Sequence, residues 1–452
     1  IIGDAPTPLD LILPEAYLGK PGEAERIEAI RSNMRAYMAL GVLEEREQGF
    51  VLVTRTVEGK TRQGLVMALD LEQYDYNKGA TTLIRATEGT IVDRIPPRLR
   101  IREGAPVELP HILVLIDDPK RTVIEPLVAK AAELPLLYDT DLMQNGGHIT
   151  GRLVSKEKDV EAVLDALAAL TDADAFREKY GDHAPLLFAM GDGNHSFATA
   201  KANWEKIKAT LPKEEQADHP ARYALVEVEN VHDDGIVFEP IHRVLFGVEG
   251  GIAAEAILHE LAEQNGDAEI VEEVLPAEGG KTHVIPFFTK NRAGSFVVRE
   301  PAQQLAVGTL QNAIDAVIRT HPGAEVDYIH GADVVRELSE KENAIGFLLP
   351  AMAKSALFPT VVYDGALPRK TVSMGEANEK PPGRHSARSA SDSSSRCWTS
   401  RWWRSPSHVS GRIWGPASTR RWGWRRSFCS PSPCLCSSPA GSVTVSGSAP
   451  YI

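Results

Sequence analysis

The chain has 452 residues, 43% of them apolar, and a formal net charge of −13. That length carries core enough for two or three domains, and no run of about 18 apolar residues suggests a transmembrane helix. All four cysteines lie after residue 380, which excludes disulfide and thiol chemistry from everything before it and suits a reducing cytoplasm.

The opening, IIGDAPTPLDLILPEAYLG, has neither an initiator Met nor a basic n-region. It reads as an N-terminal fragment already inside a strand, with LDLILPEAYL as strand into turn. Ile27, Ile30, Met34, Tyr37 and Met38 have helical spacing. Two apolar-rich runs around Glu58-Gly59-Lys60 predict a hairpin. An Arg- and Pro-dense segment follows, RATEGTIVDRIPPRLRIREGAP, then a short buried strand HILVLIDD and the helix TVIEPLVAKAAEL. LYDTDLMQNGGHITGRLV reads as a loop with a strand, and KDVEAVLDALAAL opens a helix. PLLFAM runs into GDGNHS and the helix FATAKANWEKIK. YALVEVEN and GIVFEPIHRVLF read as two strands with a turn at Asp233-Asp234-Gly235, and a helix GIAAEAILHELAEQ follows. THVIPFFTK and GSFVVRE are strands, LQNAIDAVIRTHPG a helix and ENAIGFLLP a late strand. This irregular mixture with hairpins predicts an α+β fold of mixed, largely antiparallel sheets with flanking helices.

After Lys380 the composition breaks. Residues 381–452 hold ten Arg, no Lys, no Glu, one acid (Asp392) and six of the seven Trp. They read as a disordered or out-of-frame tail, leaving 1–380 as the folded region. Ten Arg against one Asp give the tail nine net positive charges, so residues 1–380 stand at −22. A body that acidic repels polyanions, which argues against nucleic acid and anionic membrane and makes its few basic clusters informative. Nothing in the sequence specifies an oligomeric state.

The strongest chemical signal is Gly191-Asp192-Gly193-Asn194-His195-Ser196, between an apolar strand and a helix. A helix N-terminus presents free N–H groups and partial positive charge, which suits a phosphate or carboxylate. Gly193 lets backbone approach a ligand, Asp192 can hold Mg²⁺ or take a proton, and His195 can donate a hydrogen bond. A plain strand–turn–helix connection capped by Asn194 or Ser196 fits the same spacing. It is not a Walker loop. The second signal is Glu88 with Arg94, Arg98, Arg100 and Arg102, where Arg forks suit phosphate and Glu88 suits a base or metal ligand. The third is His242-Arg243, whose side chains on a strand face opposite sides. The fourth is Arg369-Lys370-Thr371, in a Pro/Gly loop, and the weakest is Gly146-Gly147-His148. Solvated loops and a satisfied core histidine are the competing readings of these four.

Together ATEGTIVDRIPPRLRIREGAPVELPHILVLIDDP, FAMGDGNHSFATAKANWE, FEPIHRVLF and ALPRKTVSMGEANEK resemble the bacterial and archaeal family called domain of unknown function 1015, over about Gly3 to Lys380. Many members have Asp-Gly-His-His-Arg where this chain has Asp192-Gly193-Asn194-His195-Ser196, and they begin with a segment lying upstream of Ile1. The resemblance extends to the phosphate-binding turn of ParB/sulfiredoxin-like proteins, which include free-serine kinases. It implies a phosphotransferase without a P-loop acting on a small metabolite such as serine, using ATP or ADP with Mg²⁺. Asp192, His195 and Glu88 would then be catalytic. Gly191, Gly193, Asn194, Ser196, Arg94, Arg98, His242, Arg243, Arg369 and Lys370 would hold the substrate or its phosphates. A non-catalytic ligand sensor and a ParB-like DNA-associated protein are the alternatives, the latter opposed by the charge.

Overall fold

The hairpin forms where the two apolar-rich runs place it. In the computed structural model β2 (Phe50–Val57) and β3 (Lys60–Asp70) pair antiparallel from Val51↔Val66 to Val57↔Lys60. Glu58 and Gly59 both take positive φ, 49° and 79°, the conformation that matches the right-handed twist of the flanking strands. The structure describes residues 6–14, 17–77, 79–89, 95–107, 109, 112–142, 146–368, 370–374 and 400–401.

A two-residue strand β1 (Glu44–Glu45) precedes this hairpin and pairs with β18 (Ser400–Arg401). The rest of the tail lies outside the described residues. The hairpin belongs to a nine-stranded sheet. Its other strands are β4 (Tyr74–Asp75), β5 (Ile84–Arg85), β6 (Leu113–Ile116), β7 (Leu136–Asp141), β8 (His148–Val154), β9 (Phe188–Asp192) and β10 (Tyr223–Asn230). The order is β4-β5-β9-β6-β10-β3-β2-β8-β7. Most neighbours are antiparallel; β4–β5, β5–β9 and β6–β10 are parallel. One face packs Leu52, Leu65, Val114 and Val226 against the helical residues Leu164, Leu167, Phe197 and Trp204.

The second sheet is wholly antiparallel. Its strands are β11 (Phe238–Phe246), β12 (Asp267–Val271), β13 (Thr282–Phe288), β14 (Ala293–Arg299), β15 (Glu325–His330) and β16 (Ala344–Phe347), in the order β12-β14-β13-β16-β11-β15. β17 (Val372–Met374) pairs with the start of β11. Helices Gly250–Asn265 and Ala306–Thr320 cover it, with Ile257, Leu261, Leu310 and Ile314 against Ile285, Phe296 and Phe347. A third cluster joins Leu113, Leu115 and Ala189 of the first sheet to Phe238, Phe358 and Val361. The fold is α+β.

Four readings change. LDLILPEAYL is not a strand: Pro8–Leu11 is a 3₁₀ turn. Thr7 caps it and Pro8 starts it, because proline's fixed φ and missing N–H cost nothing at a first helical position. The same tolerance lets Ile95–Arg102 be a helix with Pro96 and Pro97 in its first turn, against the competing reading of a solvated loop. The stretch from Leu136 to Val154 is a two-stranded hairpin rather than a loop with one strand. The strands flanking Asp233–Gly235 do not pair. β10 lies between β3 and β6, whereas β11 lies in the other sheet.

The middle of the first sheet's second face carries buried charge. Arg62 Nε lies 3.1 Å from Glu229 Oε1, with Glu229 fully buried. Gly64 leaves the room: a Cβ there would sit 2.2 Å from Glu227 Oε1. Burial raises the Glu229 carboxyl to about 8 against the pull of Arg62. Such a group binds its proton more tightly folded than unfolded. Its contribution to stability is therefore complete below pH 4.5 and lost as pH rises through about 8. Glu229→Gln should flatten stability across that window, read as denaturation midpoints at several pH values; an unchanged slope would show that other groups set it.

Candidate active site at the β9–helix turn

Three of the segments singled out from sequence meet. β5 runs parallel to β9, with Ile84↔Phe188 and Arg85↔Ala189. Beyond β5, Thr87 Oγ1 donates to the Met190 carbonyl at 2.6 Å. The Thr87 carbonyl accepts the Leu367 N–H at 2.6 Å, and Glu88 bridges Leu367 in parallel. The Lys370 N–H then donates to Glu88 Oε1 at 3.2 Å. Lys370 has φ 57°, a left-handed backbone uncommon for a residue with a side chain. Residues separated by up to 282 positions in the chain are thus tied into one junction.

The turn itself is built by Gly193. With φ 90° and ψ 22° it is the N-cap of helix Asn194–Lys208, and its N–H donates to Asp192 Oδ1 at 2.7 Å. No side chain caps this helix, which corrects the reading of Asn194 or Ser196 as cap. Both lie inside the first helical turn, past the position from which a side chain reaches back to the N–H groups. Asn194 Oδ1 is buried without a hydrogen-bond partner among the described residues. Asp192 is exposed, and Gly191, Asn194, His195 and Ser196 are half-buried. Helix register is fixed from below: Phe197, Ala198, Ala200 and Trp204 are buried, and the Thr199 hydroxyl bonds the His195 carbonyl at 2.7 Å.

The remaining candidates lie elsewhere. Arg98 is on helix Ile95–Arg102, which packs against Asn194–Lys208. Arg94 and Arg369 lie outside the described residues. His242 and Arg243 sit inside the second sheet, one step behind the loop through Ile241 N–H to the Thr371 carbonyl. His242 is buried and its Nδ1 accepts the Leu349 N–H at 3.1 Å. Burial, then His330 and Arg243, pushes its ring down to about 4, so it is neutral at pH 7. Arg243 is fully buried. Its Nε donates to Gln311 Oε1 at 2.9 Å, and its guanidinium lies 4.5 Å from the Tyr328 ring centroid. Arg85, within the basic stretch, is buried and holds the carbonyls of Thr82, Ala184 and Pro185. Among the described residues no group of three or more His, Cys, Asp or Glu is placed to hold a metal ion.

His148, the weakest candidate, lies on the edge hairpin between Asp139 and Asp141, 2.7 Å from each. The Asp141 hydrogen bond, then Asp139, raises its pKa above 6.5. Its stabilising contribution is complete below 6.5 and lost as pH rises through the raised value. An NMR titration should place the His148 midpoint above 6.5, and Asp141→Asn should lower it; a midpoint untouched by that change would remove the pairing.

Residues 2–317 match the family described as protein of unknown function (DUF1015), and the chain belongs to that family. No curated protein matches the sequence. Among solved structures it is similar to a conserved hypothetical protein from Pyrococcus furiosus, with 10% identity, TM-score 0.34, and 74% of this chain and 93% of that one covered. A free serine kinase in complex with AMP gives 11%, 0.35, 74% and 90%. SbnI with a C-terminal truncation from Staphylococcus aureus gives 10%, 0.33, 69% and 82%. At those TM-scores the likenesses carry no argument about chemistry.

Proposed function

We propose that the junction of Thr87–Glu88, Gly191–Ser196 and Leu367–Lys370 binds a small phosphorylated ligand, and that the chain is a phosphotransferase without a P-loop. The observation that carries this reading is the meeting of those segments at a helix start that no side chain caps. A 15-residue helix ends there, and its N-terminal dipole and N–H groups favour an anion. Gly193 has no Cβ to hold a phosphate away, and Lys370 supplies a cation in an otherwise acidic body. Phosphoryl transfer asks mainly for positioning and charge neutralisation.

The finer reading has ATP or ADP as phosphoryl donor or acceptor and serine or a similar hydroxylated metabolite as partner. Glu88 takes the hydroxyl proton as the new O–P bond forms and the bond to the nucleotide oxygen breaks. His195 donates to a phosphate oxygen, with Arg98 adding positive charge from the flanking helix. His242 and Arg243 brace the loop from behind. Asp192 is a single carboxylate, so Mg²⁺ would arrive with the nucleotide phosphates rather than in a site made by protein alone. A thermal-shift titration tests the binding: ligand at 100 times its Kd should stabilise by about 2.7 kcal/mol. No stabilisation by ADP, ATP or any phosphorylated metabolite would remove the proposal. Binding without turnover of serine and nucleotide would leave a sensor, and salt-sensitive DNA binding would favour the ParB-like alternative.

A further inference from the structure

We infer that Asp117 and His232 form a second reactive site, an aspartate-oriented imidazole that takes a proton from a small hydroxyl-bearing anion drawn in by Lys179. The site is separate from the Gly193 turn. Asp192 is paired with Leu113, the first residue of β6, whereas Asp117 follows its last residue, Ile116. At about 3.3 Å per residue the two lie at opposite ends of that strand, roughly 13 Å apart. β6 and β10 are parallel and in register at Ile116↔Asn230. Their carboxyl ends therefore deliver Asp117 and His232 to the same edge.

The geometry is that of an oriented base. His232 Nε2 is 2.7 Å from Asp117 Oδ1. The other carboxylate oxygen, Oδ2, accepts the Tyr180 hydroxyl at 2.6 Å and the Lys179 ammonium. Burial alone would raise the Asp117 carboxyl, but those three donors outweigh it and hold it below the usual range. In the neutral ring, a carboxylate kept ionised holds Nε2–H toward Asp117, which leaves the lone pair on Nδ1. Among the described residues Nδ1 has no hydrogen-bond partner, and the His232 side chain is 26% exposed. In the transfer the ligand O–H bond breaks, its electrons stay on oxygen, and the proton bonds Nδ1. The imidazolium so formed faces the Asp117 charge.

Three cations stand at this edge among the carboxylates Asp117, Asp233 and Asp234. Lys179 is half-exposed. Arg121 donates to the His232 carbonyl at 3.2 Å and pairs with Asp234. Lys354 donates to the Asp233 carbonyl at 2.6 Å, and burial lowers its pKa. Beside them Tyr363 is 47% exposed, with the His183 ring 5.2 Å away and Tyr180 at 6.5 Å, an apolar ledge next to the charges. A network that only tied helix Ala173–Tyr180 to the sheet would need neither the open Nδ1 nor this setting.

Alkylation separates the two cases without knowledge of the natural ligand. Bromoacetate, a small anion, forms an N–C bond at a nucleophilic ring nitrogen as bromide leaves; bromoacetamide does the same without charge. Peptide mapping by mass spectrometry should find His232 carboxymethylated faster than the exposed His183 and His259, with bromoacetate preferred over bromoacetamide by about tenfold. Mapping also separates the tail cysteines. Asp117→Asn should slow the reaction by about tenfold or more, the effect of losing one hydrogen bond to a charged group. Lys179→Met should abolish the anion preference and Lys179→Arg, which keeps the charge, should retain it, and this pair serves if Asp117→Asn does not fold. His232 reacting no faster than His183 and His259, or with no preference that Lys179→Met removes, overturns the assignment. Neither result bears on phosphate binding at the Gly193 turn.

Discussion

Trp204→Ala is expected to lower the unfolding free energy by about 3–5 kcal/mol and to weaken the Gly193 turn as a consequence. Trp204 is fully buried on the helix that begins at that turn. Its ring stacks on His219 at 5.8 Å, and its Nε1 donates to Glu72 Oε1 at 2.5 Å. Truncation removes the largest fully buried side chain among the described residues and leaves a cavity that the surrounding strands fill only in part. It also strips Glu72 of one of the two donors, Lys208 and Trp204, that keep its carboxyl low against the effect of burial. Trp204→Phe keeps most of the volume and loses the hydrogen bond to a charged acceptor, so it should cost less, about 1.5–3 kcal/mol. Denaturant unfolding followed by far-UV circular dichroism measures both, since Trp204 is the only Trp before residue 381 and the fluorescence left without it would come from the six Trp after residue 380. Equal costs for the two variants, or less than about 1 kcal/mol for Trp204→Ala, would mean that the helix is not held through this contact.

His195→Ala should reduce ADP affinity by roughly 10- to 150-fold, the equivalent of about 1.5–3 kcal/mol for one hydrogen bond to a charged ligand. Stability should barely change, because His195 is half-buried in the first turn and does not cap the helix. Asp192→Asn separates two roles. Its carboxylate is exposed and accepts the Gly193 N–H. If it only repels the phosphates, affinity without metal rises on neutralisation; if it engages the Mg²⁺ of a bound nucleotide, affinity with metal falls. Calorimetry with ADP and ATP, with and without Mg²⁺, reads all of these. A His195→Ala protein that binds ADP as well as the parent would take His195 out of the site.

Local sequence determined what local physics can encode. The two apolar-rich runs around Glu58-Gly59-Lys60 specified the β2–β3 hairpin, because such runs bury as strands and the turn between them needs positive φ. The apolar strand, two glycines and helical run from Phe188 to Lys208 specified the turn, and the residue types at Glu88, Asp192, His195 and Lys370 named chemistry worth looking for. Partners were not specified. YALVEVEN and FEPIHRVLF alternate equally well, and nothing in either says that one belongs between β3 and β6 and the other in a second sheet. Arg85 looked like part of a basic patch until its burial against three carbonyls was visible. Asp117 and His232 read as a strand end and a turn approach, and only the parallel pairing of β6 with β10 makes them neighbours. Alternation records which face of a strand is apolar. Which strand lies beside it is settled by contacts between distant residues, and hydrogen bonds such as Lys370 to Glu88 exist only once those contacts have formed.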